Sequence, residues 1–251
     1  MSARAARHVA YHEMMGVLGI GDLHPAGHFA TDFLLGELAK SHPKTVLEVG
    51  AGKGRTTERM LKRGWRVTPI EPSKVLVRAL STRLGIEAYE GTFETFDEAS
   101  GPFDAAIGEG AFYRLDPGPT VAKLHRLLRP GGLLAIVDMT WTAAARPDTV
   151  AFIHDQTKEL FGIPMAPREV VTATTWAAAL RGGGFEEVVT RTIPPEEFDA
   201  EPGATRARVA LGLLRRPDML PRFLEYRAYR RIRWAPPGWV ESWMAVWKRS
   251  A

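Results

Sequence analysis

Cysteine is absent from the 251 residues. That removes disulfides, thiolate metal sites and cysteine nucleophiles together, and it fits a cytoplasmic setting. No apolar stretch approaches the roughly 20 residues that span a bilayer. The basic N-terminus, MSARAARHVAYHEMMG, lacks an apolar h-region, so neither a membrane partner nor a secretory signal is expected. Internal repeats and low-complexity tracts are missing as well. The net charge of +4 is mild and does not by itself argue for nucleic acid. Hydrophobic content of 45% and charged content of 25% are ordinary for a soluble globular protein, and the length suits one α/β domain with an elaboration.

Against these absences stands one dense motif. Residues 46–54 read VLEVGAGKG, a β-branched apolar run ending in Glu48 and the glycines Gly50, Gly52 and Gly54. The helical composition of RTTERMLKRG follows, so the glycines fall where a strand turns into a helix. A helix start offers unpaired backbone N–H groups and the positive end of the helix dipole, and glycine lets a ligand lie against bare backbone. A second acid, Glu71, ends the next apolar run, WRVTPIEPS. A carboxylate there can take both ribose hydroxyls of an adenosine ligand. That spacing fits a dinucleotide and adenosylmethionine about equally, and the glycines separate them. A G-x-G-x-x-G fingerprint counted from Gly50 would need glycine where Arg55 stands. With E-x-G-x-G-x-G over Glu48, Gly50, Gly52 and Gly54, the chain resembles the class I S-adenosylmethionine-dependent methyltransferases, small-molecule type.

The pattern along the chain supports an α/β expectation. Short apolar runs (TVLEVG, RVTPIE, IEAYEG, FDAAIGEG, LLAIVDM) alternate with helical stretches (TDFLLGELAK, KVLVRALSTRLG, TVAKLHRLLRPGG), as in a parallel sheet with helices on both faces. The Pro130–Gly131–Gly132 turn is expected to stop the last of these helices at Gly131. LLRPGGLLAIVD and FDAAIGEGAF are similar to the family's segments around its fifth and fourth strands. Further on, a helix is expected around AFIHDQTKELFG, then helix, glycine turn and sixth strand in TTWAAALRGGGFEEVVTRTIPP, and a last strand in ESWMAVWKR. The resemblance implies a seven-stranded, mostly parallel sheet with an antiparallel last strand. Within a single methyltransferase domain over 1–251, we assign 1–29 to an N-terminal lid and 30–140 to a cofactor-binding core. Residues 141–195 form the end of the core with cap elements, 196–236 an arginine-rich helical insert between strands six and seven, and 237–251 the last strand.

The resemblance also assigns cofactor contacts. The turn Gly50, Ala51, Gly52 and Gly54 would lie under the amino-acid and ribose portions of S-adenosylmethionine. Glu71, followed by Pro72, would hold the ribose, while Glu48 would order the loop and face the methionine amino group. Thr92 stands where family members often carry an acid for the adenine amino group; it is neutral and can still accept a hydrogen bond. Phe93 would supply backbone N–H and apolar cover, or be a core aromatic. Glu109, after the fourth strand, would face the methionine end and bind a cationic group, accept a proton, or be a solvated loop acid. The [DNS]-P-P-[YF] signature of adenine-N6 and glutamine-amide methylation is absent; GEGAF stands in its place.

Methyl transfer is an in-line displacement at a sulfonium carbon, so a general base is needed only when the nucleophile arrives protonated. Candidate catalytic groups are therefore His24, Tyr11, Glu109 and Tyr113, with His24 and His28 open to a structural role instead. The HPAGHFAT stretch resembles an HPGG-like segment that packs over the cofactor in many small-molecule methyltransferases. No metal site is expected: His8 and His12 with Glu13 make no H-E-x-x-H. The insert's arginines, Arg206 through Arg233, read as a solvated face on a packed helix, as ligands for an anionic small acceptor, or as an RNA surface. We expect a cytoplasmic enzyme with a small-molecule acceptor and no nucleic-acid partner, its oligomeric state open. The alternatives are an RNA or protein methyltransferase and a non-catalytic adenosylmethionine binder.

Overall fold

The computed structural model of the chain describes residues 24–161, 164, 167–194, 202–221, 223–225 and 238–251, with Met14 and Leu18; the side chains of 160, 161, 202–206 and 208 lie outside that description. Seven strands form one sheet: β1 (Thr45–Val49), β2 (Arg66–Glu71), β3 (Tyr89–Glu90), β4 (Phe103–Glu109), β5 (Leu128–Trp141), β6 (Phe185–Ile193) and β7 (Val240–Arg249). Their order is β3-β2-β1-β4-β5-β7-β6. The pairings from β3 through β5 are parallel, and β7 runs antiparallel to both of its neighbours. The helices are α1 (Gly27–Ala39), α2 (Arg55–Leu61), α3 (Lys74–Leu84), α4 (Pro117–Leu127), α5 (Pro147–Phe161), α6 (Ala173–Gly182) and α7 (Pro202–Arg215).

Strand periodicity builds a core on each face of the sheet. Along β5, Leu134 and Ile136 join one buried cluster with Trp176 and Leu180 of α6, while Ala135 and Val137 join the other with Leu34 and Leu38 of α1. Strand β7 divides the same way, with Trp243 and Trp247 on the first face and Met244 and Val246 on the second. Successive side chains of a strand point to opposite faces, so a strand buried on both sides reads as a continuous apolar run. That is why LLAIVDM shows no polar alternation.

Two local expectations are corrected. Helix α4 ends at Leu127 rather than at Gly131, and Leu128 already pairs with Phe103 of β4. The register shifts before Ala105 meets Leu133, so Pro130–Gly131–Gly132 is an irregularity inside β5, with Gly131 at φ 75°. The residue before a proline avoids the helical region, which disfavours helix at Arg129. Strand β3 is two residues long, not the six of IEAYEG. The Tyr89 ring folds back beside Gly91, and its hydroxyl donates to the Thr95 carbonyl at 2.8 Å, turning the chain off the sheet edge.

The topology fixes where a ligand can lie. The chain builds outward from β1 to β3, then crosses back to place β4 on the other side of β1. In open α/β sheets the crevice at such a reversal, outside the carboxyl ends of the strands, is the binding site. Glu48, Glu71 and Glu109 all lie at the carboxyl ends of β1, β2 and β4. Among the described residues no helix is long and apolar enough to cross a membrane.

Candidate active site

The glycine turn after β1 is held against the end of β2: the Gly50 and Ala51 N–H groups donate to the Ile70 carbonyl at 2.9 and 3.0 Å. Gly50, Gly52 and Gly54 take φ of 75°, 54° and 75°, the left-handed region where a Cβ is penalised. Their surroundings divide them. A Cβ on Gly50 would stand 3.0 Å from that of Ala111, and one on Gly54 would stand 2.8 Å from the Leu80 side chain. At Gly52 a Cβ would meet nothing within 4 Å. Gly50 and Gly54 therefore serve close packing, while Gly52 presents bare backbone to open space.

Glu71 reaches into this turn. It is buried, accepting from the Gly52 N–H at 2.9 Å and from the Ser73 N–H at 2.9 Å. Ser73 in turn caps α3 by accepting from the Leu76 N–H, and Pro72 between them is exposed. The carboxylate expected to meet a ribose is thus aimed by two backbone donors at the one glycine with free space beside it.

The other two acids sit deeper. Glu48 is 4% exposed and accepts from the Thr57 hydroxyl at 2.5 Å. Burial pushes its carboxyl up to about 8; the carboxylates of Glu109 and Glu71 act the same way, and the Thr57 bonds oppose them. Glu109 accepts from Thr31 of α1 at 2.6 Å and from Thr56 of α2 at 2.5 Å. Consecutive threonines at the start of α2 therefore hold two different acids. His24, also buried, has Nδ1 3.2 Å from the Pro25 carbonyl and Nε2 3.7 Å from Glu109 Oε1. Each ring nitrogen faces an oxygen acceptor.

Asp138 at β5 organises the loop after β4. It is 1% exposed and accepts from the backbone N–H groups of Phe112 at 2.8 Å and Tyr113 at 3.1 Å. Burial pushes its carboxyl up to about 7 against the pull of these donors. Tyr113 is buried beneath the Arg114 guanidinium, 4.9 Å from its ring centre, and burial raises its phenol above the ordinary range.

The structure brings together Glu48, Gly50, Ala51, Gly52, Gly54, Glu71, Glu109 and His24. At the other end Thr92 is exposed, its N–H donating to the Thr95 hydroxyl at 3.1 Å. The Phe93 ring is not available as cover for a ligand: it lies in the core, edge-on to Phe112 and 5.4 Å from the Lys123 ammonium. His28 is half-buried and stacks on Phe29. Tyr11, His8, His12, Glu13 and most of the arginines of 206–233 fall outside the described residues. Sequence reasoning missed Thr31, Thr56, Thr57 and Asp138. The Thr56–Thr57 pair directly after the last glycine was the available signal.

Residues 46–132 match the model of a methyltransferase domain family. The chain is 24% identical over 199 residues to the uncharacterised methyltransferase YodH of Bacillus subtilis, an alignment covering 76% of this chain and 81% of that protein. It is 30% identical over 130 residues to an uncharacterised methyltransferase of Oceanobacillus iheyensis, covering 50% of this chain and 61% of the relative. Among solved structures, a putative sarcosine dimethylglycine methyltransferase from Galdieria sulphuraria superposes with a TM-score of 0.69 at 16% identity, over 94% of this chain and 96% of that one. At that identity the superposition speaks to the fold. The glycine turn, the strand-end acids and the strand reversal stand within the span that matches the methyltransferase domain family, and the chain is similar there to proteins named as methyltransferases.

Proposed function

We propose that the protein transfers a methyl group from S-adenosylmethionine to a small-molecule acceptor, leaving S-adenosylhomocysteine. The observation that carries this reading is the convergence of Glu48, Glu71 and Glu109 on a turn whose one open glycine is Gly52. Adenosylmethionine bears a sulfonium and an ammonium, so a site with this many carboxylates at its edge fits a cation better than it fits a dinucleotide pyrophosphate. Glu71 would accept from the ribose hydroxyls, and bare backbone at Gly52 would lie under the ribose. Glu48 and Glu109 would face the ammonium, Glu48 losing its proton as the cation arrives. Thr92 and the Phe93 backbone would border the adenine.

The sulfonium supplies an electrophilic methyl carbon; its carbon–sulfur bond breaks as the bond to the acceptor forms. The chain's contribution is then alignment and exclusion of water. A protonated nucleophile must lose its proton to a neighbour, and His24, Tyr11 and Tyr113 are the groups we assign to the acceptor side. A small acceptor is favoured by the Galdieria neighbour, whose name refers to sarcosine and dimethylglycine, and by the burial of His24 and Tyr113.

The test is transfer of labelled methyl groups from adenosylmethionine into intact and deproteinised cell extracts. Label in the low-mass soluble fraction is the expected result. Label confined to RNA or protein would overturn the acceptor class. Tight adenosylmethionine binding with no label in any fraction would favour a non-catalytic binder.

A further inference from the structure

A buried lysine holds the turn that follows β3. Lys123 of α4 is 9% exposed, and its ammonium donates to the carbonyls of Glu94 at 2.9 Å and Phe96 at 2.6 Å. The centre of the Phe93 ring lies 5.4 Å from the same nitrogen. An ammonium has three donors, and once buried it needs partners for its charge. Among the described residues, those partners all come from 93–96: two carbonyl dipoles and an aromatic ring. The carboxylate of Glu98 feels the lysine's charge but bonds to Arg126 instead, at 2.7 Å.

Packing alone does not call for a lysine here. Val121, Leu124 and Leu127 of α4 already give apolar surface to the same core. A methionine at 123 would bury without the cost of desolvating a charge. What the ammonium adds is a set of donors, and among the described residues the Glu94 and Phe96 carbonyls meet no other. The turn needs such a tie. Strand β3 pairs over two residues, so the ladder ends at Glu90. Beyond it the Gly91 N–H donates to the Glu71 carbonyl at 3.2 Å, and bonds between Thr92 and Thr95 shape the turn from within. The Tyr89 hydroxyl ties the turn to its own strand, whereas Lys123 ties it to a helix on the far side of the core.

We propose that Lys123 is a positioning residue for the adenine end of the cofactor. By clamping 93–96 against α4 it fixes where Thr92 and the Phe93 N–H stand relative to Glu71. The lysine acts through the turn and not on the ligand. This inference rests on the proposed placement of S-adenosylmethionine, with Thr92 and the Phe93 backbone at the adenine.

Calorimetry of S-adenosylhomocysteine and S-inosylhomocysteine on the full chain tests it. The second ligand differs only in its purine, where an oxygen replaces the amino group and a proton stands on N1. A turn held in place should reject that edge, so the natural protein should prefer the adenosyl compound. Lys123→Met, close in length and without donors, should lose affinity for S-adenosylhomocysteine on the order of tenfold, with the preference between the two ligands falling toward parity. Lys123→Gln keeps an amide donor, should show the same fall, and covers the case in which Lys123→Met does not fold. A lysine that only stabilised the core would lower the melting temperature of its variants and leave the ratio of the two affinities unchanged. That unchanged ratio, in either folded variant, would overturn the proposal. So would loss of folding in both, which would make the lysine a requirement of the core. A natural protein that did not bind S-adenosylhomocysteine, or bound both ligands equally, would overturn the cofactor placement itself and this proposal with it.

Discussion

Glu71 does two things that a single substitution can separate. Its carboxylate orients the Gly52 and Ser73 N–H groups, and in the proposed complex it also accepts from the ribose. Glu71→Ala should weaken adenosylmethionine binding by about 2 kcal/mol, the scale of a lost charged hydrogen-bonding partner. Calorimetry finding equal affinity would remove Glu71 as the ribose ligand. Glu48 makes a prediction about pH. Its carboxyl, raised to about 8 by burial, holds a proton that the unfolded chain has released at neutral pH. Stability of the unliganded protein should therefore fall as pH rises from the ordinary carboxylate range through about 8, and Asp138, raised to about 7, adds to the decline. Glu48→Gln keeps an oxygen for the Thr57 hydroxyl and carries no titrating proton. Its thermal stability relative to the natural protein should improve progressively toward alkaline pH. Parallel pH profiles would show that Glu48 titrates normally.

Elements meet at Glu109. One oxygen takes the Thr31 hydroxyl from α1 and the other takes Thr56 from α2, so the helix that follows the N-terminal segment is tied to the helix that follows the glycine turn. Removing either threonine leaves the half-buried carboxylate with one donor fewer, and removing both leaves it with neither. Thr31→Val and Thr56→Val should therefore be non-additive in a double-mutant cycle, with a coupling of about 0.5–3 kcal/mol in unfolding free energy. Additive losses would mean that the two helices do not communicate through this acid. A second such junction stands at Gly212 of α7, where a Cβ would lie 2.5 Å from the Leu18 carbonyl oxygen.

At the scale of the whole molecule, the strand reversal of the sheet falls at the carboxyl ends of β1, β2 and β4, where Glu48, Glu71 and Glu109 stand. A ligand that binds only the folded chain raises its stability in proportion to the logarithm of its concentration, by about 2.7 kcal/mol at 100 times its dissociation constant. S-adenosylhomocysteine should raise the melting temperature in this way. A dinucleotide, which presents a pyrophosphate to the same carboxylates, should not. A shift with the dinucleotide alone would overturn the ligand assignment.

The one-dimensional pattern carried the sheet, the two helical layers and the glycine turn, because each is a local matter. Period-two and period-3.6 runs set elements, and glycine at a strand-to-helix junction sets a left-handed turn whatever surrounds it. Glu48 and Glu71 were legible for the same reason, standing at fixed offsets from that turn. What the sequence could not show was which atoms would meet across the fold. Thr31 and Thr56 are ordinary helix residues until β4 delivers Glu109 between them, and Asp138 is a strand-end acid until the loop at Phe112 and Tyr113 closes on it. Phe93 was read both ways, and only packing against Phe112 and Lys123 turned its ring into the core. The raised carboxyls of Glu48 and Asp138 belong to the same class, since desolvation is a property of the surroundings and not of the residue. Local backbone chemistry was written in the chain, whereas partnership and burial came into being only when distant segments were packed together.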